Sequence, residues 1–187
     1  MRVFRVKMKS AGAYTQRKYH DTPKKDKERP DDWEKRTWRE SMHVNGSGNM
    51  IIPPSQFQKC AQAGARYLSI QIPGKGKSTY TKHFASGVLV TEGIDTGIKK
   101  EEVQPMPLMV PSDGRPGGGK RVLRYFPTIP KWEGEVDFNI LDDTITKDVF
   151  EEVFKEAGNL IGIGALRPQN GGWHGRFTVI SVKELEK

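Results

Sequence analysis

Alternating apolar and charged positions predict strands near both ends of the chain. Phe4, Val6 and Met8 alternate with three basic residues, a period of two that is typical of a half-buried strand. Residues 136–140 alternate in the same way, and residues 177–182 form a further strand-like run. The first of these strands should turn its apolar face into the core and its three cations outward.

Two other segments have apolar residues at the spacing of a helix. Ser55 follows two prolines as a suitable N-cap, so a helix should run from there to about residue 67. A short strand at 67–72 should follow it. Thr146 should cap a second helix, whose first turn carries Asp148 at the positive end of the helix dipole. The apolar stripe of this helix comprises Val149, Phe150, Val153, Phe154, Ala157 and Ile161.

The remaining regions predict additions to a small core. Residues 10–45 are polar and rich in turn-forming residues, which indicates a charged excursion. Residues 73–131 resemble an elaborate insertion with a strand candidate at 86–91, a Met- and Pro-rich segment and a returning strand at 121–126. The resulting order is strand, helix, strand, insertion, strand, helix, strand, which is the split βαβ, ferredoxin-like arrangement. We therefore predict a single α+β domain over residues 1–187.

Composition indicates a soluble protein. The 187 residues are 35% hydrophobic and 29% charged, and no stretch approaches the ~20 consecutive apolar residues of a membrane span. The first residues lack the apolar core of a secretory signal. A single cysteine excludes an intrachain disulfide and a cysteine-based metal cluster. These features predict a cytoplasmic protein.

The positive charge is concentrated in the first half of the chain. Residues 1–83 contain 18 Lys and Arg against 7 Asp and Glu, a net charge of +11. Residues 84–187 contain 13 against 16, a net charge of −3. This asymmetry favours a polyanionic partner for one part of the surface.

A glycine-rich segment (residues 161–176) contains the most informative chemistry. Its five glycines allow positive φ angles and a close approach of the backbone to another group. Its side chains include a cation, two amides and two rings, a set that suits a phosphate–sugar backbone. These are Arg167, Gln169, Asn170, Trp173 and His174. The alternative is a long exposed turn between helix and strand.

Further cations are candidates for phosphate contacts. Lys75, Lys77 and Lys82 lie in a basic stretch with hydroxyl groups, for which the alternative is a solvated linker. Residues 113–121 have the composition of a flexible finger with a cationic end, or of a disordered surface tip. The remaining candidates are Arg17, Lys18, Lys24 and Lys25 in the charged excursion, Arg115, Lys120 and Arg121 in the finger, and Arg124 on the returning strand.

Aromatic rings can stack on bases whatever the sequence of the strand. The candidates are Tyr14, Tyr19, Tyr80, Phe84 and Trp173. Ordinary core packing is the favoured interpretation of Phe84, because large aromatic side chains are usually buried. Trp173, which lies between Gly172 and His174, is the favoured stacking ring.

Two stretches resemble the RAMP superfamily, in particular the backbone subunits of CRISPR effector complexes. Residues 51–59, read as Ile-Ile-Pro-Pro-Ser-Gln-Phe-Gln-Lys, are similar to the family's Ile-Pro-Gly-Ser-Ser helix start, and residues 161–177 are similar to its C-terminal glycine-rich loop. The chain departs from the family where Pro54 and Cys60 replace glycines. The resemblance implies an RRM-like, ferredoxin-like core with a thumb-like β insertion. It also implies subunits that polymerise side by side, each holding several nucleotides.

These observations predict a sequence-independent binder of single-stranded RNA or DNA that assembles into a filament or multi-subunit complex. The partners are then the nucleic acid, further copies of the chain and, by the resemblance, CRISPR effector subunits, and a phage-encoded, stand-alone protein fits the small size. No cofactor or metal is expected, since the histidines show no zinc-ligand spacing. One alternative is a RAMP-like mimic that inhibits a CRISPR complex. Another is a RAMP-type endoribonuclease that uses His20 or His43 as general acid or base.

Overall fold

The computed structural model describes residues 1–114 and 119–185, and its architecture is α+β, as predicted. Its strands are β1 (Arg2–Ser10), β2 (Tyr14–Thr15), β3 (Asn49–Ile52), β4 (Val88–Val90), β5 (Ile94–Lys99), β6 (Gln104–Pro111), β7 (Arg121–Ile129), β8 (Glu133–Ile140) and β9 (Phe177–Leu185). Its helices are α1 (Pro30–Thr37), α2 (Pro54–Leu68), α3 (Thr81–Gly87) and α4 (Lys147–Leu160), with 3₁₀ turns at Trp38–Ser41 and Pro168–Asn170.

The main sheet has the strand order β4-β8-β1-β9 and is antiparallel at each pairing. Phe4, Val6 and Met8 are fully buried, in agreement with the alternation of β1. The ring of Phe138 on β8 meets those of Phe150 and Phe154 on α4 at centroid distances of 5.0 and 4.8 Å. Burial of these aromatic side chains is the main force that holds α4 against the sheet.

The helices α2 and α4 pack directly on each other. A Cβ atom at Gly64 of α2 would lie 2.6 Å from Cβ of Ala157 on α4, so the absence of a side chain permits the close crossing. Thr146 caps α4 as predicted, since its hydroxyl accepts from the Val149 amide at 3.4 Å. The N-cap of α2 is Pro53 rather than Ser55, and the helix begins at Pro54.

The predicted strand at 67–72 is wrong. Helix α2 continues to Leu68, and Ser69 ends it in a left-handed conformation. The residues after Ser69 form a closed loop, because the Ile72 amide donates to the Ser78 carbonyl and the Tyr80 amide donates to the Ile70 carbonyl. The strand that joins the main sheet at this edge is β4, which lies within the candidate at 86–91.

A hairpin of β6 and β7 leaves the core between β5 and β8. Strand β6 pairs with β7 and forms the edge of its sheet, while β2 pairs with the other side of β7. Pro105, Pro107 and Pro111 lie at alternate positions of β6. An edge strand tolerates this pattern because every second amide faces away from the partner.

The region predicted as a charged excursion contains β2 and α1. Pro30 occupies the start of α1, and Asp31 and Asp32 lie in its first turn, where their charges complement the helix dipole. Helix α1 packs against β7. Across the described ranges, no helix combines the length and apolarity needed to cross a membrane.

Candidate nucleic-acid interface

An open groove of about 1140 Å³ runs between the glycine-rich segment and the β6–β7 hairpin. Its lining includes Gln169, Asn170 and Trp173 of the glycine-rich segment together with Arg121 and Arg124 of β7. Apolar side chains line much of the rest, among them Leu108, Met109, Val110, Phe126 and Leu166. The structure thus brings together residues that were predicted from two distant parts of the chain.

The glycine-rich segment is a folded element fixed to the core. The Ala165 amide donates to the Thr15 carbonyl at 2.9 Å, and the Gly175 amide donates to the Ala13 carbonyl at 2.7 Å. A Cβ at Gly164, where φ is +91°, would lie 2.3 Å from the Thr15 oxygen. The expectation that these glycines approach a ligand is therefore wrong at Gly164, which instead lies against the backbone of Thr15 in the same chain.

Trp173 is held at the groove wall with most of its ring in solvent. Its exposed fraction is 64%, whereas the other stacking candidates Tyr14, Tyr80 and Phe84 are buried in the core. Tyr19 is 86% exposed and lies outside the groove lining. Among the described aromatic residues, Trp173 is therefore the ring best placed to stack on a base within the groove.

Beneath the groove, one buried carboxylate joins two of the predicted arginines. Glu34 of α1, 1% exposed, accepts from Arg17 at 2.6 and 3.0 Å and from Arg124 at 3.0 Å. The Tyr125 amide donates to the same carboxylate at 3.0 Å. Burial alone would raise the pKa of Glu34, but the bonds from Arg17 and Tyr125 and the nearby charge of Arg124 hold it below its ordinary value.

This arrangement reduces the positive charge available to a ligand. The two guanidinium groups of Arg17 and Arg124 share one carboxylate, so the three side chains carry a net charge of +1. Arg121 adds a second positive charge and is exposed, with its guanidinium donating to the Met109 carbonyl at 3.1 Å. Asp113 also lines the groove. The groove is consequently less positively charged than the number of predicted cations suggests.

Several predicted cations lie elsewhere. Lys18, Lys24 and Lys25 are exposed on the segment before α1, Lys75 and Lys77 are exposed in the closed loop after α2, and Lys82 is exposed on α3. Within the described residues, none of these six lines the groove. Lys120 is exposed at the start of β7, and Arg115 lies outside the described residues.

Arg167 and His174 are not among the described residues that line the groove. Arg167 lines a separate small cavity of about 100 Å³, to which Gln169 also contributes. His174 turns inward, and its buried Nε2 atom has no hydrogen-bond partner among the described residues.

The candidate nuclease histidines are both half-buried. The His20 ring stacks on Trp33 at a centroid distance of 5.2 Å, and its Nδ1 atom lies 3.1 Å from the Thr22 hydroxyl. The pKa of His43 is lowered by burial and by the charge of Lys18. In the described part of the chain, no cluster of three or more His, Cys, Asp or Glu residues could hold a metal.

The solvent-facing side of the main sheet bears ion pairs. Arg5 donates two hydrogen bonds of 2.7 Å to Asp137, and Lys7 lies 3.2 Å from Glu133. RRM domains instead present aromatic residues on this side of the central strands. The side chains of β1 and β8 therefore do not supply the stacking platform of an RRM.

Sequence reasoning missed Glu34 and the β6 side chains. Pro30 followed by two acids was a detectable helix start, so α1 could have been predicted. The burial of Glu34 had no local signal, because it depends on Arg17 and Arg124.

Comparisons with known proteins include a distant similarity to a solved structure. No protein-family model matches the chain, and no curated protein matches it. The chain is similar to the crystal structure of Cmr6 from Pyrococcus furiosus, with a TM-score of 0.48 and 14% identity over 95% of this chain and 97% of that one. At this identity and TM-score, the structural relationship is distant.

Proposed function

We propose that the protein binds single-stranded RNA or DNA in the groove, independently of base sequence. One observation carries this proposal: the exposed Trp173 ring and the cationic Arg121 line the same open groove. Stacking on an aromatic ring contributes ~1–3 kcal/mol per base and accepts every base, while a guanidinium binds phosphate.

The shape and chemistry of the groove favour an unpaired strand over a duplex. Its lining combines apolar side chains with the exposed amides Gln169 and Asn170, which suits bases that are turned out of a stack. A duplex keeps its bases paired and presents mainly phosphates, and the groove offers few uncompensated cations for those.

The same charges set the expected salt dependence. Each phosphate neutralised on a single strand contributes a slope of about −0.7 to the plot of log affinity against log salt. Arg17, Arg124 and Glu34 together with Arg121 carry a net charge of +2, so with about two phosphates contacted the slope should lie near about −1.4. Filter binding of labelled single-stranded RNA, single-stranded DNA and duplex across a salt series tests the proposal. Weak retention of all three ligands at low salt would contradict it.

A ferredoxin-like core is part of the same proposal. Taking β1, β4, β8 and β9 as its four strands, the sheet order is second, third, first, fourth, with α2 and α4 as the two helices. This supports a βαββαβ core into which the β6–β7 hairpin is inserted as a thumb. RAMP-like assembly into a filament along the strand is the corresponding proposal for quaternary structure. Electron microscopy of the protein with and without a long oligonucleotide tests it.

A further inference from the structure

The small cavity next to the groove has the chemistry of an anion site. It has a volume of about 100 Å³ and lies between the first turns of α2 and the glycine-rich segment. Helix α2 contributes Gln56, Lys59 and Cys60, and the glycine-rich segment contributes Arg167 and Gln169. Over the described residues, two cations and two amides line the cavity and no carboxylate does.

The Arg167 and Gln56 side chains are held in place by hydrogen bonds within the protein. Arg167 donates from Nη1 to the Gly164 carbonyl at 3.0 Å and from Nε to Gln169 Oε1 at 3.1 Å. Gln56 Oε1 accepts from the Gly164 amide at 3.0 Å, so its NH₂ group is the part that can donate to a ligand. Little side-chain entropy is therefore lost at Arg167 and Gln56 when an anion binds, whereas the exposed Lys59 loses more.

The remaining features of the cavity also favour a negative ligand. Burial raises the pKa of the Cys60 thiol to about 12, so the thiol is neutral at physiological pH and does not repel an anion. The first turns of α2, to which Gln56 belongs, lie at the positive end of a 15-residue helix.

We propose that this cavity binds the terminal phosphate monoester of a nucleic-acid strand, an inference that rests on the proposed function. A phosphate monoester carries a charge of about −1.5 to −2 at pH 7, which Lys59 and Arg167 together can neutralise. The cavity volume equals that of about three to four water molecules, since each occupies ≈ 30 Å³ in the liquid. This space suits a phosphate group.

Gln169 connects the cavity to the groove. It lines both spaces, so a strand whose terminal phosphate occupies the cavity can continue past Gln169 into the groove. An internal phosphodiester carries a single negative charge, and the strand continues from both of its ester oxygens. The end of a strand therefore fits this small, doubly cationic space better than its middle does.

The test compares three versions of one decamer, carrying a 5′-phosphate, a 3′-phosphate or neither, by fluorescence anisotropy. One or both phosphorylated forms should bind about tenfold tighter than the unphosphorylated form. Lys59→Gln and Arg167→Gln should each remove this preference, whereas Lys155→Gln on the exposed part of α4 should retain it. Lys59 is exposed, so its variant should fold even where Arg167→Gln does not.

The possible outcomes distinguish the terminal-phosphate site from the proposed binding of single strands. Equal affinity for all three decamers would overturn the terminal-phosphate site while leaving strand binding intact. A preference that persists in both Lys59→Gln and Arg167→Gln would place the phosphate elsewhere and also overturn it. Failure of all three decamers to bind would contradict the proposed function itself.

Discussion

Glu34 and Arg124 are separated by 90 residues in the chain and meet in a 3.0 Å hydrogen bond beneath the groove. The same carboxylate binds Arg17, so one buried side chain connects α1, the segment after β2 and strand β7. The charged region before residue 45 is therefore part of the structure that shapes the groove.

Replacement of Glu34 should destabilise the protein. Glu34→Gln removes the negative charge that compensates two guanidinium groups, and an unsatisfied buried partner costs about 1–3 kcal/mol. Urea denaturation should show this loss in the free energy of unfolding. The matched control is Glu40→Gln, because Glu40 forms an exposed pair with Lys100 and its loss should stay within about 0.5 kcal/mol. Equal effects of the two substitutions would contradict the importance of the buried pair.

The stabilising effect of Glu34 should also depend on pH. Its pKa in the folded protein is lowered, so the carboxylate contributes fully above the unfolded value of about 4.3 and progressively less as the pH falls through the folded value. The difference in unfolding free energy between wild type and Glu34→Gln should therefore shrink below about pH 4. Other carboxylates titrate in both proteins and cancel in this difference. A constant difference from pH 7 to pH 3 would count against the lowered pKa.

Trp173→Ala should weaken strand binding by ~1–3 kcal/mol without a large change in stability. The ring is 64% exposed, so little core packing is lost. Anisotropy with labelled oligonucleotides measures the binding and thermal melting measures the stability. Tyr67→Ala is the matched control, because Tyr67 is 65% exposed on α2 and lies outside the groove lining. Similar binding losses for both variants would argue against stacking at Trp173.

Arg121→Gln should flatten the salt dependence of binding. Loss of one phosphate contact reduces the slope of log affinity against log salt by about 0.7 to 1. The comparison is the double substitution Lys75→Ala with Lys77→Ala, which removes two exposed cations outside the groove lining. If the strand binds in the groove, the salt slope should change more per cation removed in Arg121→Gln than in the lysine double variant. A larger change for the lysine pair would move the phosphate contacts to the loop after α2.

Gly164 and Gly171 should respond differently to alanine. Both have positive φ angles, +91° and +76°, so both substitutions incur backbone strain of about 1–2 kcal/mol. A Cβ at Gly164 would additionally meet the Thr15 oxygen, whereas at Gly171 it would meet open space. Chemical denaturation should therefore show Gly164→Ala to be more destabilising by at least about 1 kcal/mol. Equal losses would show that the glycine-rich segment can move away from Thr15.

The parts of the fold that local pattern determines could be predicted from the sequence. Alternation at Phe4, Val6 and Met8 and the capped stripe that begins at Thr146 each depend on neighbours within a few residues. The strand expected at 67–72 failed because nothing local shows whether Ile70 and Ile72 will find a partner strand. They lie instead in a loop closed by its own hydrogen bonds.

In the candidate site, too, only the residues with a local sequence signal could be predicted. Trp173, Gln169 and Asn170 were identified from one short segment whose composition was unusual. The groove residues on β6 were harder to predict, since β6 contains prolines that ordinarily argue against a strand. The relation of Arg17 to Glu34 could not be predicted, because it arises only when α1 packs on β7.

Photo-crosslinking tests the central claim most directly. A single-stranded oligonucleotide with 5-iodouridine at alternate positions would be irradiated with the full chain, and the modified peptides would be identified by mass spectrometry. The account predicts attachment within residues 168–176, at Trp173 above all, with loss of that product in Trp173→Ala. Attachment confined to the loop at 70–80, or to the charged side of the main sheet, would contradict it.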